Sequence, residues 1–292
     1  MKTIKWILSA LVVSFLVSCN REDKEIFITA EEATVNAKMD IANNDVTDIV
    51  ELEEKNTYDN SLSGRTTEPI LDALPSCTTV TRVPAFGTPI TPGTQVTKTI
   101  DFGTTGCLLA SGNVVKGRII ITFVYNPGAT THTINYAFDN FYHNSIKFVG
   151  NKTFTRTMTT ATATMPSLPI VTMNMDMTAT FPDGNSYQRV GQRIREIVEG
   201  YTTPGILADN VYKVTGSWTT SFPNTTLQTS TITSPLYVKM SCMAANKPLI
   251  VSGVISIVRN GNTGTLDYGD GTCDNTALFT FNGNTYTIII GN

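Results

Sequence analysis

Val171-Thr-Met-Asn-Met-Asp-Met-Thr-Ala-Thr-Phe181 is the stretch that decides the fold, because apolar and polar residues alternate in it without a break. A period of two is that of a β-strand with one face in a core and the other in water. We expect the methionines of this stretch to pack in that core, since strand alternation explains them without a metal or a soft ligand.

Further strands are predicted on both sides of this stretch, separated by short Gly, Pro and Asn breaks. Asn282-Gly283 joins the last two strands in a hairpin, because both residues tolerate positive φ. No helical pattern interrupts the series. The sequence therefore predicts an all-β, antiparallel domain over residues 77–292, built as a sheet, a sandwich or an open half-barrel. The other predicted strands are Gly117–Tyr125, Thr133–Phe138, Tyr212–Trp218, Leu249–Val258, Leu278–Phe281 and Thr285–Ile290.

The composition changes near residue 68. Threonine occupies 41 of the positions from 69 to 292, and Glu196 and Glu199 are the only glutamates there. Threonine suits a pleated, half-wet surface, whereas glutamate favours helices. The net charge of −3 over 292 residues predicts neither nucleic-acid binding nor a strongly acidic ligand.

A short helical segment is predicted before the β domain, over residues 30–56. Its apolar residues recur at three- and four-residue spacing, beginning with Ala33, Ala37 and Ile41. Thr29 and Glu32 have the spacing of a capping box. Asn43-Asn44 weakens the middle, so two short helices remain an alternative. Residues 57–76 contain Gly, Pro and Ser and are predicted to be a linker.

The first 18 residues have the order of an export signal, with Lys2 and Lys5 followed by the uncharged run Trp6–Val17. The end of this run overlaps the tetrad Leu16-Val-Ser-Cys19. The uncharged run is too short to span a membrane as a helix. The last four residues resemble the lipobox of bacterial lipoprotein signal peptides. This resemblance implies cleavage before Cys19 and covalent attachment of lipid to the Cys19 thiol, which anchors the protein to a membrane.

Residues 19–29 follow as a lipidated, acidic tether. Asn20 is not the aspartate that retains some lipoproteins at the inner membrane, and residues 21–25 resemble the acidic export signals of Bacteroidota lipoproteins. The resemblance implies the outer membrane, and we favour the cell surface over the periplasmic face.

Four cysteines remain besides Cys19, and disulfides persist in exported proteins. The segments 99–107 and 265–273 align without gaps, sharing Thr, an aliphatic residue, Asp, an aromatic residue, Gly and Cys. Each of their cysteines has another at almost the same distance upstream. We therefore predict the disulfides Cys77–Cys107 and Cys242–Cys273, and a β domain of two related halves.

From Cys77 to the C-terminus the chain resembles uncharacterised lipoproteins of Bacteroidota. The segments that carry this resemblance include IDFGTTGC, VYKVTGSWTT and ITSPLYVKMSC, and the most specific is LDYGDGTCDN at 266–275. The resemblance implies an exported, outer-membrane-associated β protein. It implies no activity and transfers no functional residues.

Candidate chemistry is sparse. Asp267, Asp270 and Asp274 superficially resemble a calcium loop, but their intervals do not fit an EF-hand and aspartates are ordinary turn formers. We favour the structural interpretation, in which the matching Asp101 also caps a turn. His132 and His143 are too few for zinc and are predicted to be exposed.

We therefore expect a non-enzymatic lipoprotein with an interaction or structural role, and no cofactor besides its covalent lipid. Its expected partners are the membrane and a glycan, a lipid or an envelope protein. One alternative is a carrier that holds a hydrophobic ligand on the Val171–Phe181 face. The other is a glycan hydrolase, which needs two carboxylates in one cleft from the set Glu196, Glu199, Asp139 and Asp176.

Overall fold

The structure is a computed structural model that describes residues 27–63, 74–203 and 206–291. It contains one helix, α1 (Ala30–Ser63), two short 3-10 turns (Leu207–Asp209 and Met240–Ala245) and fourteen strands. The strands are β1 (Thr79–Val83), β2 (Gln95–Asp101), β3 (Cys107–Leu108), β4 (Val114–Val124), β5 (Thr131–His143), β6 (Ile146–Met158), β7 (Pro169–Thr180), β8 (Ser186–Glu199), β9 (Val211–Ser221), β10 (Leu227–Lys239), β11 (Ile250–Arg259), β12 (Asn262–Asp270), β13 (Thr276–Phe281) and β14 (Asn284–Ile289).

All strands belong to one antiparallel sheet. Each strand pairs with its neighbours in chain order, from β1 through β2 and β4 to β14, and the two-residue β3 adds to β4. The sheet is not closed into a barrel, so β1 and β14 lie at its two ends. A single open sheet excludes the sandwich among the three predicted architectures. The Asn282-Gly283 hairpin is confirmed, with φ of 48° and 76° at its two central residues.

The stretch that predicted the fold forms β7, in the middle of the sheet. Its odd-numbered residues from Val171 to Ala179 are buried, and the side chains between them are partly or fully exposed. Met173 and Met177 pack in one apolar cluster and Met175 in a second. The predicted core role of the methionines is confirmed.

Helix α1 packs against the inner face of this sheet. Thr29 and Glu32 form the predicted capping box, in which each backbone N–H donates to the other residue's side chain at 3.2 Å. The helix continues unbroken through Asn43-Asn44, because the Asn43 side chain contacts Lys152 and the Asn44 amide donates to Asp48 at 3.0 Å. It also extends to Ser63, which corrects the predicted end at residue 56 and the start of the linker at 57.

From Ala30 to Thr57 the helix is buried on almost all sides, although much of it is polar. Its apolar residues divide between two clusters: Val35, Met39, Ala42, Val46, Ile49 and Val50 face the first half of the sheet, and Ala33, Ala37 and Ile41 the second. Between these rows lie buried polar side chains, namely Asn36, Asp40, Asn43, Asn44, Asp45, Thr47, Glu53, Glu54, Asn56 and Thr57.

Cationic side chains on the inner face of the sheet neutralise the helix carboxylates. Asp40 is the most enclosed example: it accepts from Arg189 at 2.5 Å, from Arg193, and from the Tyr268 hydroxyl at 2.8 Å. The other ion pairs are Glu32–Arg259, Asp48–Arg195, Glu53–Lys98 and Glu54–Arg156, and Asp45 is hydrogen-bonded to the ring of His143. Buried charges are costly unless an opposite charge compensates them, so these ion pairs explain how a polar helix occupies a protein interior.

The first prediction concerns Asp40. Asp40→Asn removes the negative charge that two buried arginines share, and leaving a buried ion uncompensated costs about 3–5 kcal/mol. We expect urea unfolding to report a loss of that size. Asp176→Asn is the matched control, because Asp176 lies exposed on the outer face, where an amide can still accept from Gln188. A similar small effect of both substitutions would contradict the prediction.

Candidate ligand-binding pocket

A cavity of about 380 Å³ lies between the second half of α1 and loops at the ends of the strands. The segments 109–111, 167–169, 200–203, 206–207 and 240–249 contribute to its wall. Its volume is within the range of small-molecule sites, about 300–1,000 Å³. The wall is mainly apolar, and its aliphatic and methionine side chains are Ile49, Leu52, Leu109, Leu168, Ile197, Ile206, Leu207, Met240, Met243 and Leu249.

Two disulfides hold loops beside this cavity. The structure contains the predicted Cys77–Cys107 and Cys242–Cys273 bonds, with Cα–Cα distances of 5.9 Å and 5.3 Å. The loop after Cys107 approaches the 3-10 turn that contains Cys242: a Cβ atom on Gly112 would lie 2.6 Å from the Asn246 carbonyl oxygen. Only glycine permits this contact, which brings the two disulfide-bearing segments together at one side of the pocket.

Three carboxylates of α1 line the cavity: Asp45, Asp48 and Glu51. Asp45 has three protein partners at its Oδ2, which accepts from Ser111 and Asn113 and contacts His143, each within 2.9 Å. Asp48 pairs with Arg195. Glu51 differs from both, because its Oε1 is buried without a hydrogen-bond donor and lies 3.9 Å from the Arg195 guanidinium.

Burial controls the protonation of several groups around the cavity. It raises the pKa of Asp48 to about 6, against the opposing effect of Arg195, and it also raises the pKa of Glu54. The pKa of Tyr212 rises to about 12, again mainly through burial. The Arg195 guanidinium lies 3.7 Å from the Tyr212 ring centroid, so this cation connects the carboxylates to the aromatic wall.

The residues that the sequence singled out lie elsewhere. Cys19 is outside the described residues. Asp267, Asp270 and Asp274 each accept a hydrogen bond from the backbone N–H two residues further on, as turn formers do. Asp101 makes the same contact with Gly103 at 2.8 Å. Within the described ranges, no group of three His, Cys, Asp or Glu side chains is arranged to hold a metal ion.

The predicted exposure of both histidines is wrong for His143, which is buried and bonded to Asp45 at 2.8 Å. A buried histidine is stable here because the helix supplies a carboxylate to its ring. His132 is half-buried, and its Nδ1 lies 3.0 Å from the Tyr58 hydroxyl.

The carboxylates considered for glycan hydrolysis do not converge on the cavity. Asp139 pairs with Arg118, Asp176 accepts from Gln188, and Glu196 pairs with Lys213, each across neighbouring strands. Neither these three nor Glu199 lines the cavity. The face of β7 considered for a hydrophobic ligand is packed against α1, so it offers no groove.

Sequence reasoning missed the pocket residues because none belongs to a motif. Two separate sequence features could have indicated these contacts. The acidic residues of the predicted helix required cations, and Arg189, Arg193 and Arg195 follow one another on one face of a strand. Only the folded chain brings these two sets together.

Comparison with known proteins gives no relative from which a role could be transferred: no family model, no curated protein and no solved structure matches the chain. Across the part of the chain that the structure describes, no helix is both long and apolar enough to cross a bilayer.

The second prediction follows from Asp48. Its folded-state pKa of about 6 exceeds the ordinary value of 3.8, so the folded protein binds this proton more tightly than the unfolded chain does. The stabilising contribution is therefore complete below about pH 4 and is lost as the pH rises through about 6.

Asp48→Asn keeps a neutral side chain at every pH. Relative to the unmodified protein, its unfolding free energy should rise by on the order of 2–3 kcal/mol between about pH 4 and pH 7. Urea titrations of both proteins at the two pH values measure this difference. Asp176→Asn should show no comparable change, and a pH-independent difference for Asp48→Asn would refute the assignment.

Proposed function

We propose that this protein is an exported, lipid-anchored binding protein that holds a small, mainly apolar ligand between α1 and the surrounding loops. The observation that carries this proposal is the cavity of about 380 Å³ with a predominantly aliphatic wall. Tightly packed interiors contain few voids larger than a water molecule. A cavity of this size beside a well-packed helix is therefore a candidate site for a ligand.

The cavity lies away from the open sheet face that the sequence analysis considered for an apolar ligand. The inner face of the sheet is filled by the protein's own helix, so the ligand has a compact pocket rather than a long open groove. Loops supply most of the wall, and the two disulfides restrain two of them. Restrained loops reduce the entropy that is lost when a ligand binds.

The sequence before the helix supports export and anchoring. Residues 1–18 have the pattern of a signal peptide, Cys19 ends a lipobox, and residues 19–29 provide a short acidic tether to α1. The two disulfides are consistent with an oxidising compartment. Together with the resemblance to Bacteroidota lipoproteins, these features lead us to propose the outer membrane, with the cell surface favoured over the periplasmic face.

The third prediction tests the pocket by filling it. Ala110 is partly buried and lines the cavity, so Ala110→Trp places an indole in the space that a ligand would occupy. The mature chain, residues 19–292 with Cys19→Ser to keep it free of lipid, should increase the fluorescence of the uncharged apolar probe N-phenylnaphthylamine. Ala110→Trp should weaken probe binding at least about tenfold, equivalent to about 1.4 kcal/mol.

Ala163→Trp is the matched control, because Ala163 is exposed in the loop between β6 and β7 and does not line the cavity. This variant should bind the probe like the unsubstituted chain. Probe binding that survives Ala110→Trp unchanged would place the ligand elsewhere, and no probe binding at all would remove the proposed function.

The fourth prediction tests the anchor. In a host that processes lipoproteins, the full chain should incorporate radiolabelled palmitate and sediment with membranes. Cys19→Ser should abolish both, because the acyl chains require the Cys19 thiol and its freed amine. A protein that still incorporates palmitate after Cys19→Ser, or mass spectrometry that recovers the uncleaved leader, would contradict the assignment.

A further inference from the structure

We infer that the ligand is an amphipathic amine, whose aliphatic body fills the cavity and whose ammonium group binds the carboxylate of Glu51. This inference rests on the proposed function and adds the chemical class of the ligand. It follows from Glu51, a carboxylate of the pocket wall whose Oε1 accepts no hydrogen bond from the protein.

Glu51 lies in the pocket wall with its side chain only 14% exposed. Its buried Oε1 has no hydrogen-bond donor, and the nearest cation, Arg195 Nη1, is 3.9 Å away. That distance is too long for a hydrogen bond. A largely buried carboxylate with one oxygen that accepts no hydrogen bond is poorly compensated for its lost hydration, so a positive charge beside Glu51 in the cavity would lower an existing cost.

The neighbouring carboxylates explain why the open acceptor is at Glu51. Asp45 is occupied by Ser111, Asn113 and His143. The Arg195 guanidinium contacts Asp48 directly, and its distance to Glu51 is much longer. Arg195 therefore bonds directly to Asp48 through Nη2, and its Nη1 makes only a 3.9 Å ion pair with Glu51, whose Oε1 accepts no hydrogen bond.

The charge around the cavity favours a cationic group over a neutral or anionic one. Asp45, Asp48 and Glu51 line the cavity, together with two cations, Lys55 and Arg156. Arg156 pairs with Glu54 at 2.8 Å, and Lys55 is exposed one helical turn beyond Glu51. An ammonium supplies both a hydrogen bond and charge compensation to Glu51, whereas the carboxylate of a fatty acid would be repelled.

The apolar wall determines the rest of the ligand. Leu52, Ile197, Leu207 and Met243 are among the residues around the cavity, and they offer no hydrogen bonds to a polar body. Methionine side chains also adapt to flexible apolar ligands. An aliphatic chain with one terminal amine therefore fits both the apolar wall and the carboxylate of Glu51.

The experiment compares decylamine, decanol and decanoic acid, which share a chain and differ in the head group. Each displaces N-phenylnaphthylamine from the mature chain with Cys19→Ser at neutral pH. Decylamine should bind roughly tenfold or more tightly than decanoic acid, the usual scale of one charge-assisted hydrogen bond.

Glu51→Gln keeps the shape of the side chain and removes its charge. It should lower the affinity for decylamine roughly tenfold, while the affinity for decanol should change less than about twofold. The control is Glu31→Gln, in which an exposed glutamate of the same helix loses its charge, and both affinities should stay unchanged. Ala110→Trp should abolish decylamine binding, which separates pocket binding from attraction to the acidic surface.

Each other result has a definite meaning. The amine inference is overturned if decanoic acid binds more tightly than decylamine. It is also overturned if Glu51→Gln lowers the affinities for decylamine and decanol equally. Either result leaves the proposed pocket function intact. Decylamine binding that resists Ala110→Trp overturns the amine inference as well. Failure of all three compounds and of the probe itself removes the proposed function.

Discussion

The fold depends on a charge match between one helix and the inner face of one sheet. Much of α1 is polar, and such a helix has little tendency of its own to leave water. Isolated helices are also marginal in water, so this one needs its tertiary contacts to persist. The inward lysines and arginines of the sheet have the same difficulty, because a buried cation without an anion is costly. Helix and sheet therefore stabilise each other, and we regard them as one folding unit.

The same charges also fix where the helix lies. Apolar contacts alone would tolerate sliding, since one aliphatic side chain replaces another at small cost. Asp40, however, must meet Arg189 and Arg193 while Asp45 meets His143, and a shift by one turn of about 5.4 Å would separate all these groups at once. Buried ion pairs that add little net stability can still select one arrangement over its alternatives.

Local patterns made part of this structure predictable. The alternation in β7, the Asn282-Gly283 hairpin and the capping box at Thr29 and Glu32 each depend on a few adjacent residues. The burial of the helix does not, because it depends on charges that are distant in the sequence and meet only in the folded chain. β8 illustrates the difficulty: Arg189, Arg193 and Arg195 point inward, while Val190 is 49% exposed on the other face. Hydrophobic patterning alone would have predicted the opposite face of this strand to point into the core.

The position of the pocket follows from where strands give way to loops. Along most of α1, regular strands bring a lysine or arginine to the buried carboxylates, as with Asp40, Glu53 and Glu54. Near Glu51, the segments 200–203, 206–207 and 240–249 form much of the pocket wall, and they contribute mainly apolar side chains. An irregular backbone cannot place side chains at the even spacing of a sheet, so it encloses a space and leaves one carboxylate without a close partner. A bound ammonium would then complete the charge match that holds the helix in place. The contact between the ammonium and Glu51 would then contribute both to ligand affinity and to the free energy of unfolding, so the ligand would stabilise the helix as well as occupy the cavity.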